Sequence, residues 1–212
     1  MVGQLSGLYV ITDSQLQPGR THAQIARAAV EGGARFIQIR DKHASDREFY
    51  EAALEVRDIT EAAGVMFFVN DRLDVAAAVG ADGVNIGQND LPVDIARGLL
   101  GEKVIIGVSA DSIEQAKQAQ EDGADYVGFG PIFTTTTKLD AGPVSGLETL
   151  RKVCHEVSIP VIAIGGISLE NIGSVAANGA ACAAVVSAVV CADDMVAATS
   201  DLAKEFTKFV GW

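Results

Sequence analysis

A chain of 212 residues that is 49% hydrophobic and 21% charged has material for one generous core, and its composition excludes a disordered chain, collagen or an extended coiled coil. Sixteen basic against 28 acidic residues leave a formal net charge of −12, a field that repels nucleic acid and anionic membrane, so an anionic ligand must be held by a local cluster. The apolar runs are broken by Gly, Asp or Ser well short of the ~20 residues of a membrane span, and no basic and apolar leader opens the sequence. A cytoplasmic location is therefore expected.

Taken in chain order, eight short β-rich runs recur: 8–12 (LYVIT), 36–40 (FIQIR), 66–70 (MFFVN), 83–87 (GVNIG), 104–109 (VIIGVS), 126–131 (YVGFGP), 160–166 (PVIAIGG) and 183–187 (AAVVS). Ala-rich stretches with helical spacing, such as Ile25, Ala28, Ala29 and Ile113, Ala116, Ala119, separate them. Gly-Ala punctuation at 33–34, 80–81, 123–124 and 179–180 suits left-handed helix ends, and Ser112 and Ser168 are placed to cap helix starts. Apolar strands alternating with helices form a parallel sheet covered on its outer face. Eight such units predict a single-domain (β/α)8 TIM barrel over 1–212. An open doubly wound sheet would carry a G-x-G-x-x-G turn after the first strand, where Thr12-Asp13-Ser14 stands instead. The segment 131–145 is longer than the other connections and is a candidate lid.

In such a barrel the chemistry gathers where the strands end. Gln38 and Arg40 lie two residues apart on one strand face and Lys42 continues the line, making a cationic fork suited to a polyphosphate. The alternative is a solvated strand end. Asp71 and Asp90 follow neighbouring strands and offer hard oxygen ligands for Mg²⁺, with helix N-capping as their alternative role. Gly165, Gly166 and Ser187 end the seventh and eighth strands, where barrels often bind phosphate; a tight turn without ligand is the alternative. Asn70, Gln88, Ser109, Thr135, Thr137 and Lys138 end the remaining strands or follow them. His22, His43 and His155 are scattered and predict surface or capping roles. Cys154, Cys182 and Cys191 lack ligand or disulfide spacing and predict small core or near-surface side chains.

With these residues in place the sequence resembles the thiamine phosphate synthase (thiamin-phosphate pyrophosphorylase) family from about Tyr9 to Ser187. The motifs are Y-V-I-T-D at 9–13, Q-I-R-D-K at 38–42, N-D-R at 70–72 with Asp74, G-Q-N-D-L at 87–91, G-V-S at 107–109, G-x-G-P-I-F at 128–133, T-x-T-K at 135–138, A-I-G-G-I at 163–167 and, read loosely, the V-S-A stretch within 186–189. The resemblance implies a Mg²⁺-assisted transferase that joins hydroxymethylpyrimidine diphosphate to a thiazole phosphate and releases diphosphate. It further implies that Gln38, Arg40, Lys42 and Asn70 contact the pyrimidine diphosphate and that Asp71 and Asp90 hold Mg²⁺. Ser109 and Lys138 would line the diphosphate from the other side, with Arg40, Ser109 and Lys138 catalytic. Thr135, Thr137, Gly166 and Ser187 would take the thiazole phosphate. The sequence departs from the family at Asn85, where His is usual, and at Thr134, where Pro is common. The partners so implied are small molecules, with oligomeric state open. Alternatives are a relative that tautomerises a thiazole phosphate, a regulator that binds the metabolite without turnover, and a different phosphosugar enzyme, which would need an acid and base pair.

Overall fold

Each of the eight predicted strands forms, and their alternation with helices sets the architecture. The computed structural model describes residues 5–137 and 142–209. In chain order it contains β1 (Gly7–Thr12), α1 (His22–Glu31), β2 (Phe36–Ile39), α2 (Asp46–Ala63), β3 (Met66–Asn70), α3 (Leu73–Val79), β4 (Gly83–Ile86) and α4 (Val93–Leu100). There follow β5 (Ile105–Ala110), α5 (Ile113–Glu121), β6 (Tyr126–Phe129), α6 (Gly146–Glu156), β7 (Val161–Ile164), α7 (Ile172–Ala177), β8 (Cys182–Val185), α8 (Ser187–Val190) and α9 (Met195–Thr207). All pairings are parallel, each strand bonds to the next, and β1 returns to β8 to close the barrel. This is the (β/α)8 TIM barrel that the alternation predicts.

Local chemistry explains where the helices begin and end. Thr21 and Ser45 each accept a hydrogen bond from the third helical N–H, and Gln24 and Glu48 reach back to the cap. Ser112 caps α5 as expected. Ser168 does not cap a helix with its side chain: α7 starts only at Ile172, and Asn171 accepts from the Ser168 N–H at 2.9 Å across the intervening turn. The eighth unit also differs from its expected form, since α8 has four residues and the long helix covering that sector is α9.

Strand alternation sends Val10, Ile37, Phe67, Val84, Ile106 and Val127 outward into the core beneath the helices. Residues of opposite parity fill the interior, where Tyr9, Phe36, Phe68 and Tyr126 pack with ring centroids 5.4–6.2 Å apart. Gly83 and Gly107 make room for them: a Cβ on Gly83 would lie 2.3 Å from the Phe68 ring, and one on Gly107 1.9 Å from the Tyr126 ring. The aromatic layer closes the barrel below the strand ends, so the polar residues one step further along each strand stand above an apolar floor.

Candidate active site

Further along several strands, the face that bears the floor carries polar groups: Gln38 follows Phe36 by two residues and Arg40 by four, Asn70 follows Phe68, and Asn85 and Ser109 follow Gly83 and Gly107. They line a cavity of about 410 Å³ at the C-terminal end of the barrel together with Lys42, Asp71 and Asp90. Thr135, Thr137, Gly166 and Ser187 line it as well. Lys138 lies outside the described residues. Arg40 and Asp90, from strands on different sides of β3, thus face one space.

The cationic fork is engaged with acids. Arg40 Nη1 lies 3.6 Å from Asp13 Oδ2, and Lys42 Nζ lies 3.4 Å from Asp71 Oδ2. Gln38 is buried and donates from Nε2 to the Tyr9 hydroxyl at 2.8 Å. The turn that carries Lys42 is pinned by Asp41, which accepts from the N–H groups of His43 and Ala44 and from the Ser14 hydroxyl. Burial alone would push the Asp41 carboxyl up, but these bonds, with His22 adding to them, hold it at about 2.

His22 contradicts its expected surface role. It is buried, with Nδ1 2.6 Å from Thr12 Oγ1 and Nε2 3.4 Å from Asp41 Oδ2. Desolvation lowers its pKa and outweighs the attraction of Asp41. The cysteines match expectation: Cys182 is buried, Cys154 half-buried and Cys191 exposed, all as free thiols.

Asp71 and Asp90 do not cap helices. The cap positions of α3 and α4 are Arg72 and Pro92, and Asp90 instead accepts from the Gly87 N–H at 2.6 Å. Asp71 has a left-handed backbone, φ 61°, a conformation that Asp tolerates better than most residues. Its carboxyl pKa is raised by burial and by the neighbouring charge of Asp90, with Lys42 opposing the rise. Two carboxylates this close favour a shared cation. Among the described residues no cluster of three or more His, Cys, Asp or Glu could hold a metal; the Asp71 and Asp90 carboxylates are hard oxygen donors of the kind Mg²⁺ takes beside waters and phosphate oxygens.

Sequence reasoning missed the polar links between strands. Tyr126 donates to Asn85 Oδ1 at 3.1 Å, and Asn85 Nδ2 donates to Ser109 Oγ at 3.0 Å. Gln88 Nε2 donates to the Ser109 carbonyl at 2.7 Å. Tyr9 and Asp13 sit inside the Y-V-I-T-D motif, the signal that could have marked them.

On the opposite wall the start of the 131–145 segment is stitched to β7. Ile132 and Phe133 donate to the carbonyls of Ile164 and Gly165 at 2.9 and 3.0 Å. Gly165 and Gly166 have φ of 99° and 65°, and a Cβ on Gly166 would lie 2.4 Å from the Thr134 carbonyl oxygen. The paired glycines thus have a packing reason besides any ligand, and the six-residue α7 starts too late to present its N-terminus at Ser168.

Comparison with known proteins places the whole chain. Residues 8–189 match the family described as thiamine monophosphate synthase. The chain is 55% identical to the thiamine-phosphate synthase of Chloroflexus aurantiacus over 92% of its own length and 90% of that protein. It is 50% identical to that of Methanospirillum hungatei over 93% and 96%. The structure of thiamine phosphate pyrophosphorylase from Pyrococcus furiosus superimposes with a TM-score of 0.90 at 44% identity, covering 98% of each chain. On the family match over 8–189, these identities and the shared barrel, the chain belongs to the thiamine monophosphate synthase family.

Proposed function

We propose that this protein is a thiamine-phosphate synthase, a transferase that joins the methylene carbon of hydroxymethylpyrimidine diphosphate to the ring nitrogen of a thiazole phosphate and releases diphosphate. The observation that carries the reading is the convergence of Arg40, Lys42, Asp71, Asp90 and Ser109 on one cavity above an aromatic floor. In a dissociative displacement, negative charge grows on the leaving diphosphate while positive charge grows on the methylene, which the electron-rich aminopyrimidine delocalises. Arg40 and Lys42 face the growing negative charge, and Lys138, outside the described residues, is assigned with Ser109 to the other side of the diphosphate by its motif alone. Arg40, Ser109 and Lys138 are the catalytic set; Gln38 and Asn70 orient the pyrimidine diphosphate. Thr135, Thr137, Gly166 and Ser187 hold the thiazole phosphate, using side-chain hydroxyls and loop backbone.

Asp71 and Asp90 would hold Mg²⁺, which when bound neutralises diphosphate oxygens that the two basic side chains cannot balance alone. The floor of Tyr9, Phe36, Phe68 and Tyr126 excludes water from below, and Pro131, Thr135, Thr137 and Gly142 wall the cavity on the side of the 131–145 segment, so the thiazole nitrogen and not water captures the methylene. A cytoplasmic site of action fits these substrates; no helix among the described residues is long and apolar enough to cross a membrane.

The test is turnover of the two substrates with Mg²⁺, following diphosphate release. Asp71→Ala or Lys138→Ala is expected to lower kcat by roughly 10²–10³ with an unchanged circular dichroism spectrum. Near-normal rates in both variants reject the site. Excess chelator is expected to stop turnover, and full activity under chelation removes Mg²⁺ from the scheme.

A further inference from the structure

The hydrogen bonds inside the mouth have a direction. A serine hydroxyl holds one proton and two lone pairs, so which groups it bonds decides what it can offer a ligand. Asn85 presents its Nδ2 to Ser109 Oγ at 3.0 Å and its Oδ1 to the Tyr126 hydroxyl at 3.1 Å. An amide nitrogen only donates, so the Ser109 oxygen accepts and its own proton is left to point elsewhere. The orientation of the amide is set in turn by Tyr126, whose buried hydroxyl donates to Oδ1.

Across the floor the same order continues. Gln38 Nε2 donates to the Tyr9 hydroxyl at 2.8 Å, so the Tyr9 oxygen accepts there, with Tyr126 as a buried aromatic neighbour. Burial and that neighbour push the Tyr9 hydroxyl pKa well up, so both phenols stay protonated. Reversing the Asn85 amide would make the Tyr126 hydroxyl accept where it now donates and would turn the Ser109 proton onto Oδ1 and away from the cavity.

We propose that Asn85 is a positioning residue: oriented by Tyr126, it fixes the Ser109 hydroxyl as a hydrogen-bond donor into the cavity, aimed at the departing diphosphate. The inference rests on the synthase reading for the identity of the ligand and on the side-chain geometry for the direction. Because an amide does not titrate, the polarity is the same at every pH at which the fold persists.

A double-mutant cycle tests it with Asn85→Leu, close in size and without donors, Ser109→Ala, and the pair. Inorganic diphosphate affinity in the presence of Mg²⁺, read by calorimetry, is measured beside kcat and KM. Asn85→Leu is expected to weaken diphosphate binding and lower kcat by about fivefold to tenfold, the scale of one well-placed hydrogen bond. In the Ser109→Ala background the same change is expected to cost less than about twofold, because no hydroxyl is left to orient. Equal losses in the two backgrounds overturn the proposal and place Asn85 on the ligand itself or in a purely structural role. Should Asn85→Leu fail to fold, Tyr126→Phe removes one oxygen and carries the cycle alone, with an expected loss of about threefold that again disappears without Ser109. A wild type that binds diphosphate without turnover rejects the synthase reading while the calorimetric cycle still decides the role of Asn85. A wild type that does not bind diphosphate rejects both.

Discussion

A methyl group on Gly107 would lie 1.9 Å from the Tyr126 ring, so at this residue the space for one atom separates a supported mouth from a displaced one. Gly107→Ala is expected to destabilise the fold by about 1–3 kcal/mol through overpacking and, by pushing Tyr126 off Asn85, to weaken diphosphate binding. A melting curve and a calorimetric titration check the two effects, and a variant with wild-type melting contradicts the crowding. Arg40→Lys keeps the charge but loses the planar pair of donors. It is expected to raise the KM for the pyrimidine diphosphate by about tenfold while leaving the melting temperature unchanged, read from steady-state kinetics. At this scale the sequence was partly legible. Gln38 on β2 and Arg40 just past its end share a parity, so their convergence could be read from spacing. Tyr126 could not be picked out, because an aromatic residue in a strand reads as core and its hydroxyl partner comes from another strand; Tyr9 was marked only by its motif, not by the role of its hydroxyl. His22 was misread for the same reason: Thr12 and Asp41, which bury and bind it, are 10 and 19 residues away.

The turn after β2 is the element on which the cationic fork depends, and its stability is tied to pH through two groups. Asp41 sits at about 2 in the folded chain against an ordinary 3.8. A depressed carboxyl stabilises the fold above the ordinary value, and this contribution fades as pH falls from about 4 toward 2. His22 is held below 6.5 in the fold, so the unfolded chain takes up its proton first, and stability declines as pH drops below about 6.5. His22→Gln is expected to flatten the pH dependence of the denaturation midpoint between about pH 5 and 7; an unchanged slope would show that His22 is not its source. The strands were readable to within a few residues at their ends, since each apolar run and its glycine stop are local signals. The start of α7 was not, because Ser168 resembles a cap but Asn171 takes its N–H and delays the helix by a turn.

At the scale of the molecule, closure between β1 and β8 brings the first and last units together. The seam is covered by α9, which packs on α1, α7 and β1 and buries Thr199, Leu202 and Phe206. Gly32 meets Thr199 there so closely that a Cβ would lie 2.4 Å from it. Removing the chain from Met195 onward is expected to abolish cooperative thermal unfolding, since it uncovers the apolar flank of the seam strand and of two helices. Circular dichroism melting checks this, and a sharp transition in the truncated chain would show that eight strands close without that cover. The eightfold repeat made the closed barrel legible, whereas the division of the eighth helical unit into α8 and α9 was not, because both segments carry the same Ala- and Val-rich pattern.

The layer of Tyr9, Phe36, Phe68 and Tyr126 makes the reaction chamber a blind well. Molecules that share one doorway must form a queue. If the pyrimidine diphosphate rests on Gln38 and Tyr9 at the bottom, it enters ahead of its partner, and the joined product, sitting deepest, leaves after the diphosphate nearer the rim. Product-inhibition patterns would therefore be those of compulsory order, imposed by the plugged end of the barrel before any chemical preference acts.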